Sequence, residues 1–331
     1  VVVIDDGSTD STANVVSRYP RVRYHYQEHG GLSEARNLGA RVATGEIIAY
    51  TDDDCEPDHD WLFWLARAYD DPQVGAAGGP NIPPPPRGVQ EAVVAAAPGA
   101  PSHVLLDDRR AEHLPGCNLS IRREAFESVG GFRALFETAG DDVDVCWRLM
   151  DAGWELAFSP SAFVWHRRRT GLLAYLRQQA GYGRAEALLH ARHPERLQRG
   201  GIHWHGSLYG GGAVSPDPHA VIYYGPLGTG AYQALQSHTM PRREIDSRYH
   251  TGGARLLLGL ASRLQPWARA LARWRHGGPA PRLGCPRSER RVYRDDLRHS
   301  VELVYEGTRE ERREALLEAL EREGWKRCPD T

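Results

Sequence analysis

The sequence predicts an α/β protein with a mixed, mostly parallel sheet flanked by helices, and three observations carry that prediction. Short apolar runs alternate with helical stretches from the first residue onward. Gly and Pro punctuate the intervals between them. One apolar run, Ile47-Ile48-Ala49-Tyr50, empties into Thr51-Asp52-Asp53-Asp54. Strand–helix–strand alternation argues for parallel strands covered by helices. A buried strand that ends in three acids puts negative charge at the carboxyl edge of a sheet, where open α/β sheets bind their ligands. Neighbouring carboxylates repel one another, so the cluster stays together only when solvated or neutralised by a cation. Mg²⁺, which combines one or two carboxylates with substrate phosphates, suits them. A solvated acidic turn is the plainer reading of an isolated DDD.

Each element has its own signal. Residues 1–4 read as a strand and Asp5-Asp6-Gly7-Ser8 as the turn after it, with Ser8 or Asp10 capping a helix that stops before Pro20. Residues 22–26 form the next strand. Gly30-Gly31-Leu32-Ser33 leads into a helix over 34–40 with Ser33 as its cap, and the strand at Ile47 follows. Residues 61–69 are an apolar-rich helix and 74–79 a strand. The four consecutive prolines within 80–86 favour an extended polyproline loop. Residues 89–101 read as helical up to a break at Pro98-Gly99, 114–121 as a strand, and 122–129 as a helix closed by Gly130-Gly131. A helix over 142–152 buries Val143, Trp147 and either Leu149 or Met150. Strands at 155–158 and 162–165 flank Ser159-Pro160, and 172–190 is a longer amphipathic helix. Past Arg199 the texture changes: Gly, His and Tyr dominate without a clean period. An amphipathic helix is expected over 254–274, a strand over 301–305, and a helix opened by the capping box at Thr308 and running through Leu320. The expected division is 1–198 as the main domain and 199–331 as a smaller α+β region.

Composition narrows the class. The 331 residues carry 41 basic and 43 acidic side chains, a net charge of -2, which excludes general affinity for nucleic acid. Five cysteines without a CxxC pair fit reduced thiols in a cytoplasmic protein. No apolar run reaches the length of a membrane span, and peripheral membrane association is left open.

Four stretches fall in one order: DDGSTD from Asp5, EARNLGA from Glu34, GEIIAYTDDD from Gly45 and GDDVDVCWR from Gly140, with GCNLSIRREAFESVGGF (116–132) before the last. Together, over residues 1–190, they resemble family 2 glycosyltransferases of the Rossmann-like GT-A fold. The resemblance implies transfer of a sugar from a nucleoside-diphosphate sugar, UDP favoured, to a hydroxyl of a saccharide or glycolipid acceptor. Surface polysaccharide or glycoconjugate synthesis is the implied setting, and Mg²⁺ or Mn²⁺ the implied cofactor. The chemistry asks for such residues. The departing diphosphate needs its charge neutralised, which a divalent ion does, and the attacking hydroxyl must lose a proton to a carboxylate.

Asp52 and Asp54 match the family's DxD and are the expected metal contacts, with Asp53 beside them on the donor. Asp5 and Asp6 match acids placed at the base and ribose, and Arg36 an arginine near the nucleotide. Asp142 matches the catalytic base; one base and a single displacement imply inversion. Asn118, Asp141, Trp147 and Arg148 are expected on the acceptor side, and His166 as a further metal or diphosphate contact. The family has Glu where Asp141 stands, a shortening that changes acceptor geometry more than the base. The QxxRW motif of processive synthases is absent near Gln178-Gln179. His203-Trp204-His205 lacks further ligands at metal spacing and is not read as a metal site.

Family members carry an apolar strand before the one holding the DDG acids, lying between the strands at Val1 and Ile47; this chain starts after it. The expectation is a piece of a longer enzyme that, alone, aggregates or lacks activity through two rows of unpaired backbone groups. Two rival readings stand beside the enzyme: a catalytically silent nucleotide- or sugar-binding module, and a nucleotidyltransferase.

Overall fold

The computed structural model describes residues 1–99, 102–107, 109–168, 170–198, 201–202, 204–209, 223–225, 228–230 and 245–278. By contacts the chain divides into two units, Val1–Pro281 and Arg282–Thr331. The sequence had placed its boundary near residue 199 instead. The strand at 301–305 and the helix from Thr308 lie outside the described residues.

The first unit opens with β1 (Val2–Asp6), α1 (Thr12–Val16), β2 (Arg23–Gln27), α2 (Leu32–Val42), β3 (Ile47–Thr51) and β4 (Cys55–Pro57). It continues through α3 (Trp61–Arg67), β5 (Val74–Gly78), β6 (Asn81–Ile82), α4 (Val89–Ala96), β7 (Val104–Leu105) and β8 (Ala111–His113). β9 (Asn118–Arg122), α5 (Arg123–Ser128), α6 (Asp141–Asp151), β10 (Glu155–Phe158), β11 (Val164–His166), α7 (Leu172–Arg192) and α8 (Gly252–Arg275) complete the elements that position the site.

The central sheet has the order β10-β5-β9-β3. β9 runs antiparallel to both neighbours while β5 and β10 are parallel, so three of its four strands share one direction. The fold is thus α/β with a mixed sheet. β1 and β2 form a separate parallel pair. Among the described residues β1 pairs only with β2 and β3 only with β9, so each turns an open edge toward one cavity. A small sheet, β4-β11-β6, sits above the carboxyl end of β3.

Pleating divides the sheet's side chains between two layers. Ile48, Tyr50, Ala76, Leu119, Ile121, Leu156 and Phe158 face α5 and α6 and meet Ala125, Phe126, Val145, Cys146 and Leu149. On the other face Val74 and Ala77, joined by Val164 of β11, pack on Trp61, Leu65 and Tyr69 of the α3 region, with Ile47 at the margin. Burying each large apolar side chain contributes about 1.5–3 kcal/mol. On the buried face of α6 Trp147 and Leu149 stand as expected, but Val143 is only partly buried and Val145 and Cys146 join the core in its place.

The cap expected at Ser33 is also absent. Its hydroxyl donates to the Phe136 carbonyl at 2.8 Å. α2 begins after Gly31, whose φ of 92° suits glycine and whose backbone lies so close to Glu137 that an added Cβ would sit 3.0 Å from its Cα. That approach ties the start of α2 to the segment leading into α6.

Candidate functional site

A cavity of about 2190 Å³ opens at the carboxyl end of β3. Among its lining residues are Asp5, Asp6, Arg36, Asp52, Asp53, Asp54, Asp141, Asp142 and His166. Its lining also runs along the open edges of β1 and β3, from Val1–Ile4 to Ile47–Ala49.

Arg36 organises the floor. It projects from α2, is only 8% exposed, and donates to Asp52 Oδ1 at 3.1 Å and to Asp141 Oδ2. Burial alone would lower its pKa, but Asp141, Asp52 and Asp142 together hold the guanidinium charged and raise it above the ordinary arginine range. Its head lies against Gly116, where a Cβ would come within 2.7 Å of Cζ. One cation thus joins the acid cluster after β3 to the acids that open α6.

Asp141 and Asp142 follow Gly140, whose φ of 86° and close approach to Ala185 favour a residue without a side chain. Their roles separate by environment. Asp141 is 1% exposed, and burial, only partly countered by Arg36, pushes its carboxyl up to about 6. Asp142 turns into the cavity: Gly116 N–H donates to Oδ2 at 3.0 Å and Val143 N–H to Oδ1 at 2.9 Å. Burial would raise its pKa too, but His113, Arg36 and the Gly116 amide outweigh it and hold Asp142 ionised, well below the usual carboxylate range.

Asp5 and Asp6 stand where β1 ends, and both brace the wall of the cavity. Asp5 accepts from Ser8 N–H at 2.7 Å and from the Tyr24 hydroxyl; the Tyr24 bond chiefly lowers its pKa, and Tyr24 itself is raised to about 12. Asp6 accepts from Gln27 at 2.6 Å and from the amides of Gly30 and Gly31 at 2.8 and 2.9 Å, shaping the loop before α2. Asp53 is exposed at the rim.

Three residues expected on the acceptor side do not reach the cavity. Asn118 is fully buried: its Nδ2 donates to the carbonyls of Gly79 and Ala162 at 2.8 Å, and its Oδ1 accepts from Trp61 Nε1 at 2.8 Å. Trp147 packs at 0% exposure with Phe136 and Leu189. Arg148 is consumed by Asp144 and by the carbonyls of Val129 and Gly131. Each is fixed by internal partners, so none is available to a sugar. Asp141 lines the cavity but spends an oxygen on Arg36.

Sequence reasoning missed His113. Its Nε2 is buried without a hydrogen-bond partner and lies 3.6 Å from Asp142 Oδ2, while Nδ1 meets the Ser102 carbonyl at 2.8 Å. Trp204 lies against its ring, centroid to centroid 5.6 Å. No local pattern in AEHLPG marks it; only the strand pairing of β8 brings it to α6. His205, from the triplet not read as a metal site, pairs with the buried Glu112.

The acids after β3 suit a divalent cation. Asp54 Oδ1 and His166 Nε2 lie 3.4 Å apart, a separation at which both can touch one ion, and Asp52 and Asp54 keep side-chain exposures of 37% and 36% on the cavity side. Carboxylate oxygens with one imidazole suit Mg²⁺ or Mn²⁺. Burial would lower the His166 pKa; the Asp54 carboxylate and the Cys55 thiol beside it raise it instead.

Residues 1–130 match the sequence profile of glycosyl transferase family 2. The pre-mycofactocin glycosyltransferase of Mycobacterium tuberculosis is 34% identical over 207 residues, covering 59% of this chain and 43% of that protein. The glucosyl-dolichyl phosphate glucuronosyltransferase of Haloferax volcanii is 26% identical over 190 residues, 50% of this chain and 58% of that protein. The chain therefore spans about half the length of the curated relatives it matches. The mannosyltransferase PcManGT from Pyrobaculum calidifontis, solved in complex with GDP-Man and Mn²⁺, superposes with a TM-score of 0.45 at 24% identity, covering 60% of this chain and 55% of that one. The similarity to glycosyl transferase family 2 is thus carried by residues 1–130.

Proposed function

We propose that this protein is an inverting, metal-dependent glycosyltransferase that moves a sugar from a nucleoside-diphosphate sugar to an acceptor hydroxyl. One observation carries the reading: Arg36 joins Asp52, beside the expected cation ligands, to Asp141, and Asp142 faces the same cavity one residue further on. A bound cation, held by Asp52, Asp54 and His166, would neutralise the diphosphate as it leaves. Asp53 at the rim and Asp5 and Asp6 on the wall are placed for the nucleotide, with UDP the proposed base carrier.

Asp142 acts on the acceptor. Its carboxylate, ionised and aimed by two backbone amides, takes the hydroxyl proton as the new bond forms. His113 behind it steadies the charge. With Asp141 engaged by Arg36, Asp142 is the carboxylate left for one displacement with inversion at the anomeric carbon. A role in surface polysaccharide or glycoconjugate synthesis fits a second feature. Leu256, Leu260, Leu264, Trp267, Leu271 and Trp274 are exposed along α8 at spacings of three and four, and the helix carries arginines but no acid. Such a face docks on an anionic membrane surface, where lipid-carried acceptors lie. No helix among the described residues is long and apolar enough to cross a membrane.

The test is release of nucleoside diphosphate from a panel of nucleotide sugars with Mn²⁺. Asp142→Asn should lower turnover by roughly 10²–10⁴-fold while nucleotide binding, followed by calorimetry, persists. Turnover unchanged in Asp142→Asn overturns the assignment of the base.

A further inference from the structure

Beside the acids after β3, next to His166, lie two thiols that sugar transfer does not use. Cys55 opens β4, His166 closes β11, and the two strands pair antiparallel with His166 opposite Cys55. Cys117 stands directly before β9. The two sulfurs and a ring nitrogen of His166 all lie within 4.8 Å of one another. Asp54 Oδ1 is 3.4 Å from His166 Nε2 and 3.8 Å from Cys55 Sγ. In a tetrahedral zinc site, bonds of about 2.0–2.3 Å place neighbouring ligand atoms roughly 3.3–3.8 Å apart. The two Asp54 separations already fall in that range, and the sulfurs and ring nitrogen, within 4.8 Å of one another, reach it by closing up to about 1 Å.

We propose that Cys55, Cys117, His166 and Asp54 form a zinc site of Cys₂HisAsp type. Cys117 and His166 are buried and Cys55 is half-buried, yet Asp54, Cys117 and His166 also line the large cavity, which supplies the entry path. Thiolates are soft ligands that prefer zinc to Mg²⁺ or Mn²⁺, whereas the carboxylates of Asp52 and Asp54 suit the hard ions. Four protein ligands leave no open position, the mark of a closed rather than a catalytic zinc site. Asp54 belongs to both sets. Zinc held by the thiolates therefore withdraws Asp54 and His166 from the donor's cation, and the two metals exclude each other. The ligand geometry alone supports the site, independently of the transferase reading.

The experiment adds Co²⁺, an optical surrogate for Zn²⁺, to the reduced full chain. The expected spectrum has a thiolate-to-cobalt charge-transfer band in the near ultraviolet and the intense visible bands of tetrahedral coordination. Both saturate at one equivalent and vanish when Zn²⁺ is added. Cys55→Ser and Cys117→Ser should each remove about half of the charge-transfer intensity and weaken binding by roughly tenfold or more. Cys146→Ser, whose thiol faces the Leu114 carbonyl, and the double variant Cys285→Ser/Cys328→Ser should keep the spectrum. Cys55→Ser carries the test if the buried Cys117→Ser fails to fold. Absence of the charge-transfer band, a band indifferent to Cys55 and Cys117, or a thiol titration showing the two cysteines joined as a disulfide without metal uptake overturns the proposal. Sugar transfer is scored separately: cobalt spectra without transfer refute only the proposed function, and transfer without cobalt spectra refutes only the zinc site.

Discussion

Replacing Arg36 by Met tests the link between the two halves of the site. The side chain is 8% exposed and its partner Asp141 only 1%, so the substitution leaves a buried carboxylate without its cation. Breaking such a pair costs about 3–5 kcal/mol. For a unit of this size that lowers Tm by roughly 10 °C, at some 2–4 °C per kcal/mol. Protonation limits the damage. Asp141 already sits at about 6 with Arg36 present, and without it the carboxyl rises further. A folded pKa above the unfolded value means that stability falls as pH climbs from about 4 toward the folded pKa. Arg36→Met should therefore lose less stability at pH 5 than at pH 8. Adding Asp141→Asn should recover most of the loss, a coupling of about 2 kcal/mol or more in urea unfolding at pH 8. Costs that add to within about 0.5 kcal/mol would refute the idea that Arg36 serves Asp141.

Gly116→Ala drives a methyl into the Arg36 guanidinium, 2.7 Å from Cζ; nucleotide affinity by calorimetry should fall at least tenfold, with near-wild-type affinity sinking the assignment of that contact. Asp144 is buried, and His193, Arg148 and Arg133 overcome the burial that would raise its pKa and hold it below the ordinary 3.8. Its contribution is full above that value and lost as pH falls below it, so Asp144→Asn should destabilise the protein at pH 7 and flatten the acid limb of a Tm-against-pH curve. Trp267→Ser with Trp274→Ser should abolish co-sedimentation with vesicles rich in anionic lipid while leaving soluble-acceptor turnover intact; equal sedimentation removes the membrane role of α8.

Much of this fold could be read along the chain because its signals are local. The run at Ile47 ending in acids, the alternation around it and the Gly breaks each act within a few residues, and β3, β5, α5, α7 and α8 appear close to where those signals put them. What escaped depends on pairing across the sheet. Asn118 is expected on the acceptor side only through the resemblance of residues 116–132, and its direction is set by β9 lying between β3 and β5, which aims its amide inward. Trp147 was read correctly as buried and wrongly as an acceptor contact, since helix period gives a face without saying what lies opposite. His113 and the Cys55–Cys117 pair meet their partners only through β8, β9 and the pairing of β4 with β11. Ser33 failed as a cap because the carbonyl it serves, Phe136, lies about a hundred residues away.

Asn118 bears on how ligands arrive. A single carboxamide fastens the chain at Gly79, Ala162 and Trp61, immediately beside Cys117 and Gly116 beneath the cavity. The floor is thus set before anything binds, and association spends little free energy on ordering it. Encounter there should be limited by diffusion and orientation rather than by rearrangement, with amides around Asn118 among the slowest in the protein to exchange with solvent.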